Sequence, residues 1–223
     1  MKFRHEWKHE INKGDYYELR ARLSSIAYPD KNGVNGRYIV RSLYFDDLND
    51  TALMEKINGV SKREKFRIRY YDYDKSFINI EKKAKIDKLC CKTSEVISEE
   101  QVNKILNGDT QWMLDCEKPL IRELYYKIKN NGVKPKTIVE YTRDAFTFPA
   151  GNVRVTLDYN IRTGLGSTDF LNPNCVTIPA GNPVVILEVK WDEFLPNVIK
   201  DAVQLKDRRV SAFSKYAACR IYD

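Results

Sequence analysis

A chain of 223 residues with 43% hydrophobic and 31% charged side chains can bury a real core, and that composition excludes intrinsic disorder. Lys and Arg outnumber Asp and Glu by 38 to 31, a net charge of +7 that points to an anionic partner: nucleic acid, a phosphorylated metabolite, a polyanion or a membrane surface. The five cysteines are odd in number and lack a CxxC pair, which predicts reduced thiols in a cytoplasmic protein. No apolar run approaches the ~20 residues of a membrane span, and the charged start MKFRHEWKHEINK is unlike a signal peptide.

Residues 2–11 alternate as a strand, with Arg4, Glu6 and Lys8 on one face and Phe3, His5, Trp7 and His9 on the other. Residues 13–27 read as an amphipathic helix with Tyr16, Leu19, Leu23 and Ile26 on one stripe, followed by a loop with Pro29, Gly33 and Gly36. Residues 37–46 are β-branched and aromatic and predict a strand; 49–57 predict a short helix ended by Asn58-Gly59. A hairpin follows, with strands at 62–73 and 76–86 about a turn at Asp74-Lys75, then a third strand at 89–97. Ser98 opens a helix over 98–107 with a capping box, and a further helix at 117–130 stops at Asn131-Gly132. Strands at 136–148 and 152–162 pair across PAGN, 183–192 form another strand, and 195–206 form a helix. Residues 211–221 fit helix and strand equally. No repeat or linker interrupts the pattern, which predicts a single domain over 1–223, α+β, with a mostly antiparallel sheet.

The recurring chemical feature is charge at even spacing inside strand-like segments. Arg4/Glu6/Lys8, Lys65/Arg67/Arg69, Glu81/Lys83/Lys85, Arg154/Asp158 and Glu188/Lys190 do this, and Tyr141/Arg143 adds a mixed pair. One wet sheet face explains any single pair. The set, flanked by apolar residues such as Val153, Val155, Leu187, Val189 and Trp191, suits a closed sheet with its charges turned inward onto a bound polyphosphate. Acidic residues in the same lumen would then suit Mg2+ or Mn2+. His5 and His9, the only histidines, are too few for a zinc site, and no P-loop or GxGxxG sequence occurs. Tyr70, Tyr71 and Tyr73 are expected to pack on the outer face.

Taken together, RHEWKHEI, SLYFDD, KFRIRYYD, INIEKK, VEYTRDAF, NVRVTLD, VVILEVKW and FSKYAAC, in this order over residues 4–219, resemble the polyphosphate polymerase domain of the vacuolar transporter chaperone (VTC) family. That family lies within the CYTH or triphosphate tunnel metalloenzyme superfamily. The resemblance implies an antiparallel eight-stranded β-barrel with helices packed around it. It implies phosphate contacts and catalysis from Arg67, Arg69, Lys83, Arg143, Arg154 and Lys215. Substrate contacts are implied for Lys8, Lys65, Tyr141, Lys190, Ser214 and Lys92. Glu188 is implied as the metal ligand, with Glu6, Glu81 and Asp158 as further acidic candidates. The implied reaction moves the γ-phosphoryl group of ATP onto a growing polyphosphate chain with Mn2+ or Mg2+; translocation of the product would need a membrane partner protein. Two alternatives share the tunnel: a metal-dependent triphosphatase, and a non-catalytic polyphosphate-binding or sensing domain. RNA binding is what charge and tyrosine content alone would allow.

Overall fold

Ten strands and six α-helices form among the described residues, 3–86, 89–205 and 212–221, of this computed structural model. In chain order they are β1 (Phe3–Ile11), α1 (Lys13–Ile26), β2 (Tyr28–Pro29), β3 (Arg37–Asp46), α2 (Thr51–Ile57), β4 (Lys62–Tyr71), β5 (Asp74–Ile86) and β6 (Leu89–Ile97). Then come α3 (Glu99–Leu106), α4 (Pro119–Asn131), β7 (Lys134–Phe148), β8 (Val153–Thr163), β9 (Ile178–Pro179), β10 (Val185–Trp191), α5 (Asn197–Ala202) and α6 (Lys215–Cys219). Lys2, Lys206 and Ser211, which bound three of the predicted elements, lie outside the described residues. No helix among the described residues is long and apolar enough to cross a membrane.

Eight strands are hydrogen-bonded in the order β7, β3, β4, β5, β6, β1, β10, β8, every pairing is antiparallel, and β7 pairs with β8 to close the ring. Closure gives the alternating residues two environments, a lumen and an outer wall. Trp7 and Trp191 point outward and meet edge to face at 4.7 Å, and His5 stacks on Trp191, while Glu6, Lys8 and Lys190 between them turn inward.

Two outer cores hold the barrel. On the β3–β6 side, Leu43, Phe66, Ile68, Tyr70, Ile80 and Ile138 pack against Val102 and Ile105 of α3 and Leu120, Ile121 and Leu124 of α4. On the other side, Val153, Val155, Leu157, Leu187 and Val189 pack against Leu19 and Leu23 of α1 and Ile199 of α5. A third cluster includes inward residues of β3, β7, β8 and β10 (Val40, Val139, Ile161, Ile186) and Tyr216 and Cys219 of α6, so α6 caps part of one end of the lumen. The α1–β3 loop crosses β7 at Gly36, whose φ is +75° and where a Cβ would lie 2.6 Å from the Ala145 carbonyl oxygen; only glycine fits.

Several expectations are corrected. The hairpin turns at Asp72-Tyr73, not Asp74-Lys75: Tyr71 pairs with Asp74, and both turn residues have positive φ, 47° and 58°. A register shift between Arg69 and Tyr71 accompanies this, as expected where a bulge tightens a twisted hairpin. The tyrosine cluster is split by strand alternation. Tyr70 and Tyr73 pack outside, but Tyr71 turns inward and meets Tyr38 edge to face at 5.6 Å. Residues 211–221 resolve into the short helix α6 where they are described, and β2 and β9, two residues each, were not predicted.

Candidate functional site

The lumen contains a cavity of about 370 Å3 whose wall carries eleven Lys and Arg side chains against three carboxylates. Twelve of the predicted site residues line it: Glu6, Lys8, Lys65, Arg67, Arg69, Lys83, Tyr141, Arg143, Glu188, Lys190, Ser214 and Lys215. Glu81 and Asp158 lie directly behind that surface as partners of its arginines. Arg154 is bound to Asp30 at 2.7 Å and to the Tyr38 hydroxyl, away from the cavity wall. Lys92 is half exposed and reaches Glu81 at 3.1 Å. Tyr44, Lys56, Arg63 and Lys85 also line the cavity.

Three internal ion clusters organise the cations. Asp158, fully buried, accepts two hydrogen bonds from Arg143, at 2.6 and 2.8 Å, and lies 2.6 Å from the Lys215 ammonium. Burial disfavours its charge, but Arg143 and Lys215 outweigh that and hold its pKa down to about 2. The Tyr141 hydroxyl receives N–H groups from Arg69 (3.2 Å) and Arg143 (3.3 Å), so its own proton is left to donate to an anion; Lys215 sits 4.7 Å above its ring. Ser214 caps α6, its Oγ accepting from the Ala217 N–H at 3.3 Å, which places Lys215 at the cavity wall.

In the second cluster Arg67 binds Glu81 through Nε at 2.8 Å and Nη2 at 2.6 Å, with Arg69 and Lys92 nearby. Burial again opposes the Glu81 charge, and Arg67, Arg69 and Lys92 together depress its pKa well below the carboxylate range. Arg69 donates to the Ser42 hydroxyl at 2.8 Å and Arg67 to the Tyr44 hydroxyl at 2.8 Å, which explains the Ser-x-Tyr pattern of SLYFDD. The first aspartate of that motif serves the helices instead. Asp46 accepts from the Ala52 and Leu53 N–H groups at the start of α2 and from the Tyr216 hydroxyl, tying α2 to α6.

In the third cluster Glu6 and Glu188 share Lys8, at 2.8 and 3.3 Å, and both contact Lys190; Glu6 also lies 3.0 Å from Lys83. Burial and the neighbouring Glu188 raise the Glu6 pKa, yet Lys83, Lys8 and Lys190 bring it to about 2. Glu188 is likewise held ionised, against burial, by Lys190, Lys8 and Lys83. Among the described residues no group of three or more His, Cys, Asp or Glu is arranged to hold a metal. Two lumen carboxylates facing one phosphate-sized space fit instead the mode in which Mg2+ or Mn2+ takes one or two carboxylates and completes its shell with water and substrate phosphate oxygens. Glu81 and Asp158, each enclosed by its own cations, fit a counter-ion role better.

Lys65 differs from the rest. Its ammonium lies 5.4 Å from the Tyr44 ring and makes no ion pair among the described residues. Burial, with the charges of Lys83, Arg67 and Lys8, lowers its pKa to about 7. The Tyr44 phenol is also buried, but Arg67, Lys65 and Arg69 bring it down to about 7. Parity in β4 could have shown that Arg63 extends the row of Lys65, Arg67 and Arg69; no sequence signal marks Lys56, which arrives from α2.

Comparison with known proteins agrees with this geometry. A protein of Bacillus halodurans, provisionally described as an adenylate cyclase, superposes with a TM-score of 0.51 at 13% identity over 85% of this chain and 80% of its own. A protein of Pyrococcus horikoshii gives 0.51 at 11% identity over 95% and 96%. At such identities these structures speak for the fold alone. No curated protein matches the chain. The VTC domain family model, however, matches residues 3–221, nearly the whole length. The chain therefore belongs to the VTC domain family.

Proposed function

We propose that the protein is a metal-dependent polyphosphate polymerase that transfers the γ-phosphoryl group of ATP to the end of an inorganic polyphosphate chain held in the barrel. The observation that carries this is the enclosed lumen with eleven Lys and Arg against three carboxylates. So many cations around so small a space suit closely spaced phosphates. Nucleic acid is disfavoured: the rings of Tyr44 and Tyr141 are buried, Tyr44 stacked on Tyr216 at 4.9 Å, so neither is free as a stacking platform for bases.

In this reading Arg67, Arg69 and Arg143 hold phosphate oxygens through guanidinium N–H groups whose inner edges are fixed by Glu81, Ser42 and Asp158. Lys8, Lys65, Lys83, Lys190 and Lys215 act as point charges along the chain, and Tyr141 donates one hydrogen bond. Arg154 and Lys92, outside the cavity wall, serve phosphates further along. Glu6 and Glu188 would hold Mn2+ or Mg2+, which supplies charge neutralisation across the phosphates. The bond from the γ-phosphorus to the bridging oxygen breaks as one forms to a terminal oxygen of the chain, and ADP leaves. Positioning and neutralisation account for most of such catalysis. Arg4 supports synthesis over a two-metal hydrolysis: it stands where related triphosphatases carry a further glutamate and is paired with Asp192 at 2.8 Å.

The test is incubation with ATP and Mn2+ or Mg2+, with and without short polyphosphate, measuring chain length, ADP and free phosphate. Long chains with stoichiometric ADP are expected. Free phosphate without chains would instead indicate a triphosphatase, and tight polyphosphate binding without turnover a binding or sensing domain.

A further inference from the structure

A second cavity, about 610 Å3, lies outside the barrel, between α1, the start of β3, β8 and the loop leading into β10. It shares no lining residue with the lumen cavity. Its wall carries Lys13, Arg20, Arg37 and Arg162 and no carboxylate. Asp144, buried beneath the floor, is the acid that Arg20 and Arg37 bind.

Asp144 organises the floor. It accepts from Arg37 through Nε at 2.7 Å and Nη2 at 3.1 Å, from Arg20 Nε at 3.1 Å and from the Tyr16 hydroxyl at 2.8 Å. Both arginines are thus gripped by one edge, while their side chains remain about half exposed, at 45% and 48%. Nη1 of Arg37 and both Nη groups of Arg20 have no acceptor among the described residues, and both side chains line the cavity. One carboxylate fixing two guanidiniums leaves a preorganised surplus of positive charge, which suits a phosphate group. Burial and Asp144 keep the Tyr16 and Tyr159 phenols protonated, and both donate to Asp144, which helps hold it in place beneath the arginines.

The rest of the wall is not suited to bare phosphate. Tyr17 stands 69% exposed, and Tyr159, Pro179, Pro183 and Val184 supply apolar faces around it. A volume of this size takes a ligand larger than an oxyanion. Cation-rich at the Arg20/Arg37 floor and apolar with an exposed ring beside it, the cleft matches a molecule with a phosphate at one end and a flat ring at the other.

We propose that this outer cleft is a second ligand site, separate from the lumen, that binds a mononucleotide with its phosphates on Arg20, Arg37 and Lys13 and its base against Tyr17. The proposal does not rest on polymerase activity. It has a route to the lumen: Asp144 follows Arg143 in β7, and Tyr159 follows Asp158 in β8, so each strand presents one residue to the cleft and the next to the phosphate site.

The test uses the full chain carrying Arg67→Ala and Arg69→Ala, or Lys65→Glu and Lys85→Glu should the first pair fail to fold, to disable the lumen. ADP titrated calorimetrically without metal is expected still to bind at one site. Adding Lys13→Glu and Tyr17→Ala, both at exposed positions, should weaken that binding by about tenfold or more, since stacking on one aromatic side chain contributes on the order of 1–3 kcal/mol. Loss of all ADP binding in the lumen variant would overturn the proposal, as would binding unaffected by the cleft substitutions. Tripolyphosphate binding as tightly as ADP would overturn the assignment to a nucleotide.

Discussion

Asp158 shows how single residues make this lumen tolerable. A buried carboxylate fixing Arg143 and Lys215 removes the repulsion two such cations would otherwise exert. Asp158→Ala strands both charges, and the expected cost is about 3–5 kcal/mol in urea unfolding, with Asp158→Asn intermediate. The pH dependence has a definite sign. Asp158 and Glu6 are depressed to about 2 in the folded chain, so their stabilisation is complete above the ordinary carboxylate range near 4 and is lost as pH falls toward 2. Thermal unfolding across pH 2–5 should show this, with a shallower slope in Asp158→Asn. Lys65 runs the other way. Its folded pKa near 7 lies below the usual lysine value, so the empty chain gains stability as pH rises from 7 toward 10. An entering phosphate restores its charge, so tripolyphosphate binding at pH 8 should take up protons, read as buffer-dependent enthalpy, and Lys65→Met should reduce the uptake. The inward rows were legible because strand alternation is a strict period of two. The surplus of cations was not divisible by that rule: nothing in the spacing separates Glu81 and Asp158, enclosed by arginines and lysines, from Glu6 and Glu188, which face the space for phosphate.

Elements were legible where they are long. The Ser98–Gln101 capping box forms as the sequence indicated, with hydrogen bonds of 3.1 and 3.0 Å at the start of α3. Ser98→Ala should lower stability by about 1 kcal/mol, measured by denaturant unfolding, and, under the proposed polymerase reading, leave synthesis unchanged, because α3 packs on the outer wall. Short pieces were not legible. A five-residue α6 offers too little periodicity to separate helix from strand, and it is defined by tertiary bonds, Tyr216 to Asp46 and Arg220 to Asp50. The two-residue strands β2 and β9 exist only through their partners β7 and β8. The hairpin turn was misplaced by two residues because Asp72 and Tyr73 adopt positive φ without a glycine to mark it.

At the scale of the molecule, closure is what turns scattered charges into one site. Neither the β3–β7 pairing nor the β1–β6 seam can be read from local pattern, since each depends on where a strand meets a partner far along the chain. Under the proposed polymerase reading, Arg67→Ala with Arg69→Ala should abolish synthesis while circular dichroism stays native. Chelating the metal should stop synthesis yet leave tripolyphosphate bound, because the lysines and arginines that hold it remain. The internal ion clusters also bear on how a polymer could move. An empty cationic bore would grip its first occupant and release it slowly. Here Glu6, Glu188, Glu81 and Asp158 already occupy the cations at rest. Under the proposed reading, an arriving phosphate takes the outer edges of these cations while Glu81 and Asp158 keep the inner ones. The bore would then work as a charged guide whose tethered counter-ions stay in place, so that a chain of phosphates, on that reading, slides along it without any step in which bare charge is left behind.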